Sequence, residues 1–169
     1  MMQFQFRKMA QSDQPIEFHQ TLDSGFVKSG RNDILSASPL HVDVKAKYRV
    51  DQAVDVNGTL KLDLQMACAR CLRPVDLHLD VAIQEEIRHG AEPENVAEED
   101  DSVYVNSDTV ELQPYLEEAA LMDLPASVLC KDDCKGLCPT CGVNLNEQDC
   151  DCDNRPIDPR LAGLKDFFK

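Results

Sequence analysis

Eight cysteines are the residues of this chain whose type and spacing could do chemistry. Two of them form a Cys-x-x-Cys pair, and the other six crowd into 23 positions near the end of the chain. The eight are Cys68, Cys71, Cys130, Cys134, Cys138, Cys141, Cys150 and Cys152. Cysteine thiolates are preferred ligands of Zn²⁺, and structural zinc sites take four of them in a tetrahedron. The spacing therefore predicts structural zinc.

The strongest single signal is Cys138-Pro139-Thr140-Cys141-Gly142. Two cysteines separated by two residues and followed by glycine can direct both sulfurs at one ion, because the turn is tight enough for backbone amides to face them. The second half of that site comes either from Cys130 and Cys134 or from Cys150 and Cys152. Whichever pair is left over can join Cys68 and Cys71, so the sequence allows one zinc ion or two.

A redox role for Cys68 and Cys71 is a distant alternative. A reactive pair of that kind needs a following helix whose amino terminus lowers the thiol pKa. Here Pro74 and an alternating, strand-like stretch follow instead. The four histidines are scattered, and the chain contains no HExxH or GxSxG motif. We therefore expect a protein that is not an enzyme and has no small-molecule substrate.

Charge is distributed unequally along the 169 residues, whose formal net charge is −14. Residues 1–89 have a net charge of −1 and residues 90–169 a net charge of −13. The second half should repel nucleic acid, since phosphates attract lysine and arginine. No apolar run approaches the roughly 18 residues of a membrane span, and Met1–Ala10 lacks the apolar core of a signal peptide. These features predict a cytoplasmic protein without membrane association, in which cysteines stay reduced.

A basic surface is predicted within the first half. Six cations, more than a third of the 17 in the chain, lie within 29 residues. They are Lys45, Lys47, Arg49, Lys61, Arg70 and Arg73. Alternate residues of a strand point to the same side, so the first three should share one face. We interpret this set as a candidate RNA-binding surface; the alternative is a solvated strand on which positive charges prevent edge pairing.

Strands must position the Cys68–Cys71 pair. Apolar residues alternate with polar ones over 42–50, 60–66 and 75–83, and Asn57-Gly58 is a strong turn signal between the first two. The third alternation begins directly after Cys71, so the pair should occupy the tip of a hairpin. Alternation over Met2–Lys8 predicts a further first strand, whereas residues 10–39 give no clear pattern.

The rest of the chain predicts helices around an acidic connection. Residues 90–102 form an acidic loop, and Val103–Val105 could be a short edge strand. Helical periodicity over 112–124 predicts a helix that covers the sheet, with Pro114 in its first turn. Asp158-Pro159 predicts the start of a tail helix. The fold class is α+β: an antiparallel sheet with a covering helix in a domain of residues 1–125, then a zinc-stapled segment of residues 126–169.

With these motifs in order, the chain resembles the bacterial YceD family, the large ribosomal RNA subunit accumulation proteins. The similarity rests on Cys68-Ala69-Arg70-Cys71-Leu72, on Leu124-Pro125 and on the stretch from Cys134 to Asn146. The Cys150-x-Cys152 pair and the 158–164 tail complete it.

The resemblance implies a cytoplasmic, non-enzymatic factor for accumulation or processing of 23S ribosomal RNA and for assembly of the large subunit. Its expected partners are that RNA, a ribosomal protein, or both. The alternative function is an acidic interaction module that holds a basic ribosomal protein.

Overall fold

Long antiparallel strands form most of the fold, which a computed structural model describes for residues 2–12, 14–92 and 102–152. The elements in chain order are β1 (Gln3–Gln5), α1 (Phe6–Met9), β2 (Ile16–Leu22), a 3-10 turn (Gly25–Lys28), β3 (Ile34–Ala37), β4 (Leu40–Tyr48), β5 (Ala53–Ala67), β6 (Pro74–His89), β7 (Val103–Val105), β8 (Thr109–Glu111) and α2 (Gln113–Met122).

The main sheet has the strand order β2-β4-β5-β6-β7, and β3 pairs with β5 beyond the end of β4. All of its pairings are antiparallel except that of β6 with β7. The longest pairing joins β5 to β6, from Ala53 opposite Arg88 to Ala67 opposite Pro74. Strands β1 and β8 form a separate antiparallel pair. The predicted antiparallel sheet over residues 40–89 is confirmed, and the short edge strand Val103–Val105 is also present.

One face of the sheet carries the core. Strand β4 alternates buried and exposed residues along most of its length, and Val44 and Ala46 are fully buried. Helix α2 adds Leu116 and Ala120 to the same core, which confirms the predicted helix over 112–124. Each fully buried side chain of valine or leucine size contributes roughly 1.5–3 kcal/mol to folding. The strands are thus fixed in register, because a shift by one residue would expose the buried set.

The predicted turn at Asn57-Gly58 is wrong. Both residues lie inside β5, and the chain reverses instead between Tyr48 and Ala53, where Gln52 has φ +60°. Gly58 pairs with Val44, and a Cβ atom at position 58 would lie 2.1 Å from the carbonyl oxygen of Asp43. The glycine therefore permits close approach of two backbones within the sheet, which is the other reason for glycine in a strand.

The predicted first strand over Met2–Lys8 is only partly correct. Strand β1 ends at Gln5, and α1 follows at once. Phe6 and Met9 are both buried, three residues apart, as one turn of helix allows. The ring of Phe6 packs edge-on against Phe4 with centroids 5.3 Å apart. Hydrophobic burial of these residues is the reason that the alternation does not continue as a strand.

Two predictions lie outside the described residues: the tail helix beginning at Asp158, and residues 93–101 of the acidic loop. The stretch 10–39, which has no clear sequence pattern, contains β2 and β3. Within the described part of the chain, no helix is long and apolar enough to cross a membrane.

Candidate metal centres

The connection between β5 and β6 presents the first two thiols. The Cys68 amide donates a hydrogen bond to the Arg73 carbonyl oxygen (2.8 Å), and the Leu72 amide donates one to Cys68 (2.9 Å). Leu72 has φ +60°, the left-handed conformation that closes the turn. Cys68 and Cys71 therefore lie at the tip of the longest hairpin, as the sequence predicts.

Cys130 and Cys134 complete a group of four with these two, which we call the hairpin cluster. All four sulfurs lie within 4.8 Å of one another. Sγ of Cys68 is 3.8 Å from Sγ of Cys134, and Sγ of Cys71 is 3.5 Å from Sγ of Cys130. A tetrahedron with Zn–S bonds of about 2.3 Å has edges of about 3.8 Å. The donor set and its dimensions fit a structural Zn²⁺ ion.

Backbone contacts dock the Cys130–Cys134 segment against the hairpin tip. The Ala69 amide donates to the Val128 carbonyl oxygen (2.8 Å), and the Leu137 amide donates to the Arg70 carbonyl oxygen (3.1 Å). The guanidinium of Arg70 donates in turn to the Cys134 carbonyl oxygen (2.8 Å). Main-chain and side-chain groups of one residue thus hold the two halves of the cluster together.

Glycine is required where the segments are closest. Gly136 has φ +78°, and a Cβ atom there would lie 3.1 Å from the Arg70 carbonyl oxygen. Both the backbone conformation and the lack of space disfavour any larger residue. The Lys135-Gly136-Leu137 stretch therefore shapes the turn that brings Cys134 to the hairpin.

The thiols of the hairpin cluster differ in acidity. Hydrogen bonds from the backbone, first that of Cys71, lower the pKa of Cys68 to about 6. Burial and the neighbouring thiol of Cys71 raise the pKa of Cys130 to about 12. Burial opposes ionisation of Cys134, but hydrogen bonds from Asn146 and Gly136 outweigh it and lower the pKa of Cys134. Negative charge thus concentrates on part of the cluster, and a divalent cation would permit all four thiolates to form.

Asn146 is a functional candidate that the sequence reasoning did not identify. Its side-chain nitrogen donates to Sγ of Cys134 (3.4 Å) and to the Asn144 side-chain oxygen (2.8 Å). Its side-chain oxygen accepts a hydrogen bond from the Lys135 amide (2.9 Å). Residues that hydrogen-bond metal ligands orient them and tune metal affinity. The Asn-x-Asn pattern directly after the Cys-x-x-Cys-Gly turn is the signal that could have identified it.

The remaining four cysteines, Cys138, Cys141, Cys150 and Cys152, form a second group, which we call the distal cluster. The Gly142 amide donates to the Cys138 carbonyl oxygen (2.8 Å), and the Cys141 amide approaches Sγ of Cys138 (3.5 Å). Gly142 has φ +74°. Hydrogen bonding to Cys141, together with burial, raises the pKa of Cys152 to about 12. The predicted turn is present and directs its sulfurs to one point.

Burial distinguishes the two groups. In the hairpin cluster three cysteines are nearly inaccessible, since the exposed fraction is 0% at Cys68, 6% at Cys71 and 2% at Cys134. In the distal cluster only Cys138 is buried, and Cys141 is exposed. A hydrophobic shell around a metal site limits access of solvent and competing ligands. The hairpin cluster is therefore the better protected site.

The structure selects among the pairings that the sequence left open. Cys130 and Cys134 join Cys68 and Cys71, whereas Cys150 and Cys152 join Cys138 and Cys141. All eight cysteines are unpaired by disulfides. Each group offers four sulfur ligands, the set of a closed structural site rather than of a catalytic site with an open position.

The cations predicted to bind RNA are largely matched by carboxylates. Lys45, Lys47 and Arg49 project from the sheet's outer surface or its adjoining turn. The Lys45 ammonium is 2.8 Å from Glu17, and the Arg49 guanidinium is 2.5 Å from Glu86. Hydrogen bonding to Glu17 raises the pKa of Lys45. Local carboxylates thus offset much of the positive charge on this surface.

The other predicted cations lie nearer the clusters or across the sheet. Lys61 is 3.9 Å from Asp80, and Arg73 forms an ion pair with Glu147 of the Cys-rich segment. Arg70 holds Cys134, as described above. Lys47 has no carboxylate within 4 Å among the described residues and is the least neutralised of the six. The structure therefore places these six in more than one setting.

Comparison with known proteins gives a consistent family signal. A family model described as large ribosomal RNA subunit accumulation protein YceD matches residues 56–168. The Mycobacterium tuberculosis protein Rv2926c is 35% identical over 120 residues, which are 70% of this chain and 58% of that protein. YlbN of Bacillus subtilis is 27% identical over 161 residues, covering 92% of this chain and 90% of YlbN.

A chloroplastic YCED homolog 1 of Arabidopsis thaliana, named as a large ribosomal RNA subunit accumulation protein, is 29% identical over 55 residues. These are 32% of this chain and 17% of that protein. The chain thus spans little more than half the length of the mycobacterial relative. No solved structure matches significantly.

Proposed function

Because the chain belongs to the YceD family, we propose that it is a non-enzymatic factor for accumulation or processing of 23S ribosomal RNA and for assembly of the large ribosomal subunit in the bacterial cytoplasm. The observation that carries the proposal is the extent of the family match, which includes both cysteine clusters and most of the β5–β6 hairpin. The printed name of the plant relative supports the same role.

Zinc is the metal that we assign to both clusters. Four cysteine sulfurs at tetrahedral spacing suit Zn²⁺, and two sites need the eight cysteines that the chain has. Structural zinc supplies roughly 10–16 kcal/mol of apparent binding free energy to small sites of this kind. In this proposal the ions stabilise the Cys-rich segment against the hairpin tip and take no part in a reaction.

Contact with ribosomal RNA is assigned to the six cations of the hairpin and the outer sheet surface. Surface ion pairs are worth roughly 0–1 kcal/mol each, so phosphates can replace the carboxylate partners of Lys45 and Arg49. Lys47 needs no such exchange within the described structure. Binding of this type should weaken steeply with salt.

A second candidate function is an acidic module that holds a basic ribosomal protein. Described residues 102–152 contain ten acidic and only two basic side chains. A Zn²⁺ ion with four thiolates adds a further net charge of −2 at each cluster. This part of the surface would repel RNA and attract a basic protein.

Cross-linking in growing cells tests both candidates. We expect deletion of the gene to reduce mature 23S ribosomal RNA, and cross-linked RNA fragments to map to the large subunit. Cross-links confined to a basic ribosomal protein would instead favour the second candidate. Normal large-subunit RNA in the deletion strain, with neither cross-link, would contradict the proposal.

A further inference from the structure

One edge of β6 is open over most of its length. Strand β7 pairs with β6 only at Ile87, Arg88 and His89. Over residues 75–85, no strand of the described chain pairs with the edge that faces away from β5. Unpaired strand edges of this length offer backbone donors and acceptors to another chain.

The core side of this edge is incompletely covered. Leu77 and Leu79 are only partly buried, although their partners across the ladder, Leu64 and Leu62, have exposed fractions of 4% and 2%. Val75 and Val81 show the same contrast with their buried partners on β5. Burial therefore falls from one strand to the next, and an apolar stripe runs beside the open edge.

The opposite side of the same edge is acidic. Asp76 and Asp80 are exposed on the outer surface of β6, and Glu85 and Glu86 follow. Residues 74–92 contain five acidic side chains and one basic one, Arg88. Charges directly opposite one another on neighbouring strands attract when they differ in sign. A strand added here would gain most from lysine or arginine on its outer side.

The other long edge of the sheet lacks this combination. Strand β2 is seven residues long, its central core residue Phe18 is already buried, and its outer carboxylate Glu17 is engaged by Lys45. Ile16 is exposed only at its start. The length, the uncovered stripe and the carboxylates therefore single out β6.

We propose that the 75–85 edge of β6 binds an extended segment of a partner protein in which apolar residues alternate with lysine or arginine. Backbone hydrogen bonds would extend the sheet by one strand. The apolar side chains would cover Leu77 and Leu79, and the basic ones would face Asp76 and Asp80. This deepens the second candidate function, on which it rests, by giving the basic partner a conformation and a docking site.

Hydrogen exchange of the free, full-length protein is the first test. We expect the outward amides of residues 75–85 to exchange fast at every protein concentration. Protection at all concentrations would show that residues of this chain already cover the edge, and protection that grows with concentration would show pairing of two copies. Either result overturns the proposal.

A synthetic peptide of about nine residues with valine and lysine in alternation is the binding probe, since strands of this length are common. We expect it to bind and to protect residues 75–85 from exchange. A peptide of the same composition with its valines and lysines in two blocks should bind at least about tenfold more weakly, because only alternation separates the two faces. Equal binding of both peptides would reduce the effect to general charge attraction and contradict the proposal.

Charge reversal locates the binding site. Asp76→Lys with Asp80→Lys should weaken peptide binding by about tenfold or more, since like charges would then face each other. Glu17→Lys with Asp43→Lys makes the same change in net charge on the same face at the opposite edge, and it should leave binding within about twofold. Equal loss in both pairs would overturn the assignment to β6.

The two proposals fail separately. Absence of peptide binding, with normal dependence of 23S ribosomal RNA on the protein, would remove the edge proposal alone. Intact peptide binding, with no effect of gene deletion on large-subunit RNA, would contradict the proposed function and leave the edge site standing.

Discussion

The side-chain nitrogen of Asn146 lies 3.4 Å from Sγ of Cys134 and donates a hydrogen bond to it. The contact joins a residue of the distal turn region to a thiol of the hairpin cluster, so the two clusters share supporting residues. Such a bond favours the thiolate over the thiol, and it helps to lower the pKa of Cys134.

Asn146→Ala should weaken zinc binding at the hairpin cluster by roughly 10- to 100-fold, because it removes the hydrogen bond that orients and ionises a ligand. Competition with a colorimetric chelator measures the affinity. Gln148→Ala, two residues further along, is the matched control and should bind zinc like the parent. Unchanged affinity in Asn146→Ala would refute the supporting role of this residue.

Metal should leave the distal cluster before the hairpin cluster. Cys141 is exposed, whereas Cys68 is fully buried, so a chelator reaches the distal ion first. We expect release in two steps of one equivalent each. Cys138→Ser should abolish the fast step and spare the sheet, and Cys68→Ser should abolish the slow one. A single step of two equivalents in the parent protein would contradict this order.

The stability of the metal-free protein should fall as pH falls from about 9 to about 6. The pKa of Cys68 is about 6 in the folded chain against an ordinary value near 9, so its thiolate stabilises the fold above that range and protonation removes the contribution. Cys130, with its pKa raised to about 12, adds no slope in this window, since it is protonated in both states below about pH 9.

Urea unfolding in the presence of a chelator at several pH values measures this slope. Cys68→Ser should reduce it, and Cys141→Ser is the control that should keep it. Stability that rises on acidification would contradict the assigned ionisation of Cys68.

Gly58→Ala should destabilise the protein by roughly 1–3 kcal/mol or more, because the new Cβ atom would overlap the Asp43 carbonyl oxygen of β4. Chemical denaturation measures the loss. Asn57→Ala, the neighbouring exposed position of β5, is the control and should have a small effect. Equal stability of the two variants would mean that the sheet yields at this contact.

Reversing Lys45, Lys47 and Arg49 to Glu should abolish association with large-subunit RNA if these residues contact phosphates. Each contact contributes about 0.7–0.9 to the slope of log affinity against log salt. Filter binding at several salt concentrations gives that slope. Because Glu17 and Glu86 would then face like charges, the milder replacement of all three by Gln distinguishes lost contacts from lost folding. Unchanged RNA association in both variants would direct attention to a basic protein partner.

Local sequence patterns predict the strands and helix α2 well, since each follows one period of burial. The Cys68–Cys71 hairpin tip is correct for the same reason. The Asn57-Gly58 turn fails because glycine serves two purposes, tight turns and close backbone approach, and only the neighbouring strand decides between them. The extent of β1 fails because burial of Phe6 and Met9 depends on residues far along the chain, among them Asp108, whose carbonyl oxygen accepts the Phe6 amide.

The partition of the cysteines could not be read from spacing alone. Cys134 and Cys138 are as close in sequence as many zinc-binding pairs, yet they belong to different clusters. The reason is the docking of Cys130–Cys134 on the hairpin through Arg70 and Val128, a contact between residues some 60 positions apart. The ion pairs of Lys45 and Arg49 are likewise set by the register of β2, β4, β5 and β6.

The different sequence separations within the two clusters determine how each ion can be acquired during folding. Cys68 and Cys134 are 66 residues apart, whereas the whole distal cluster lies within residues 138–152. Closing the longer loop costs about 1.4 kcal/mol more in chain entropy. The distal ion can therefore be captured by a chain that is still unfolded, but the hairpin ion must wait for the sheet. Once bound, it acts as a removable cross-link between the middle and the end of the chain.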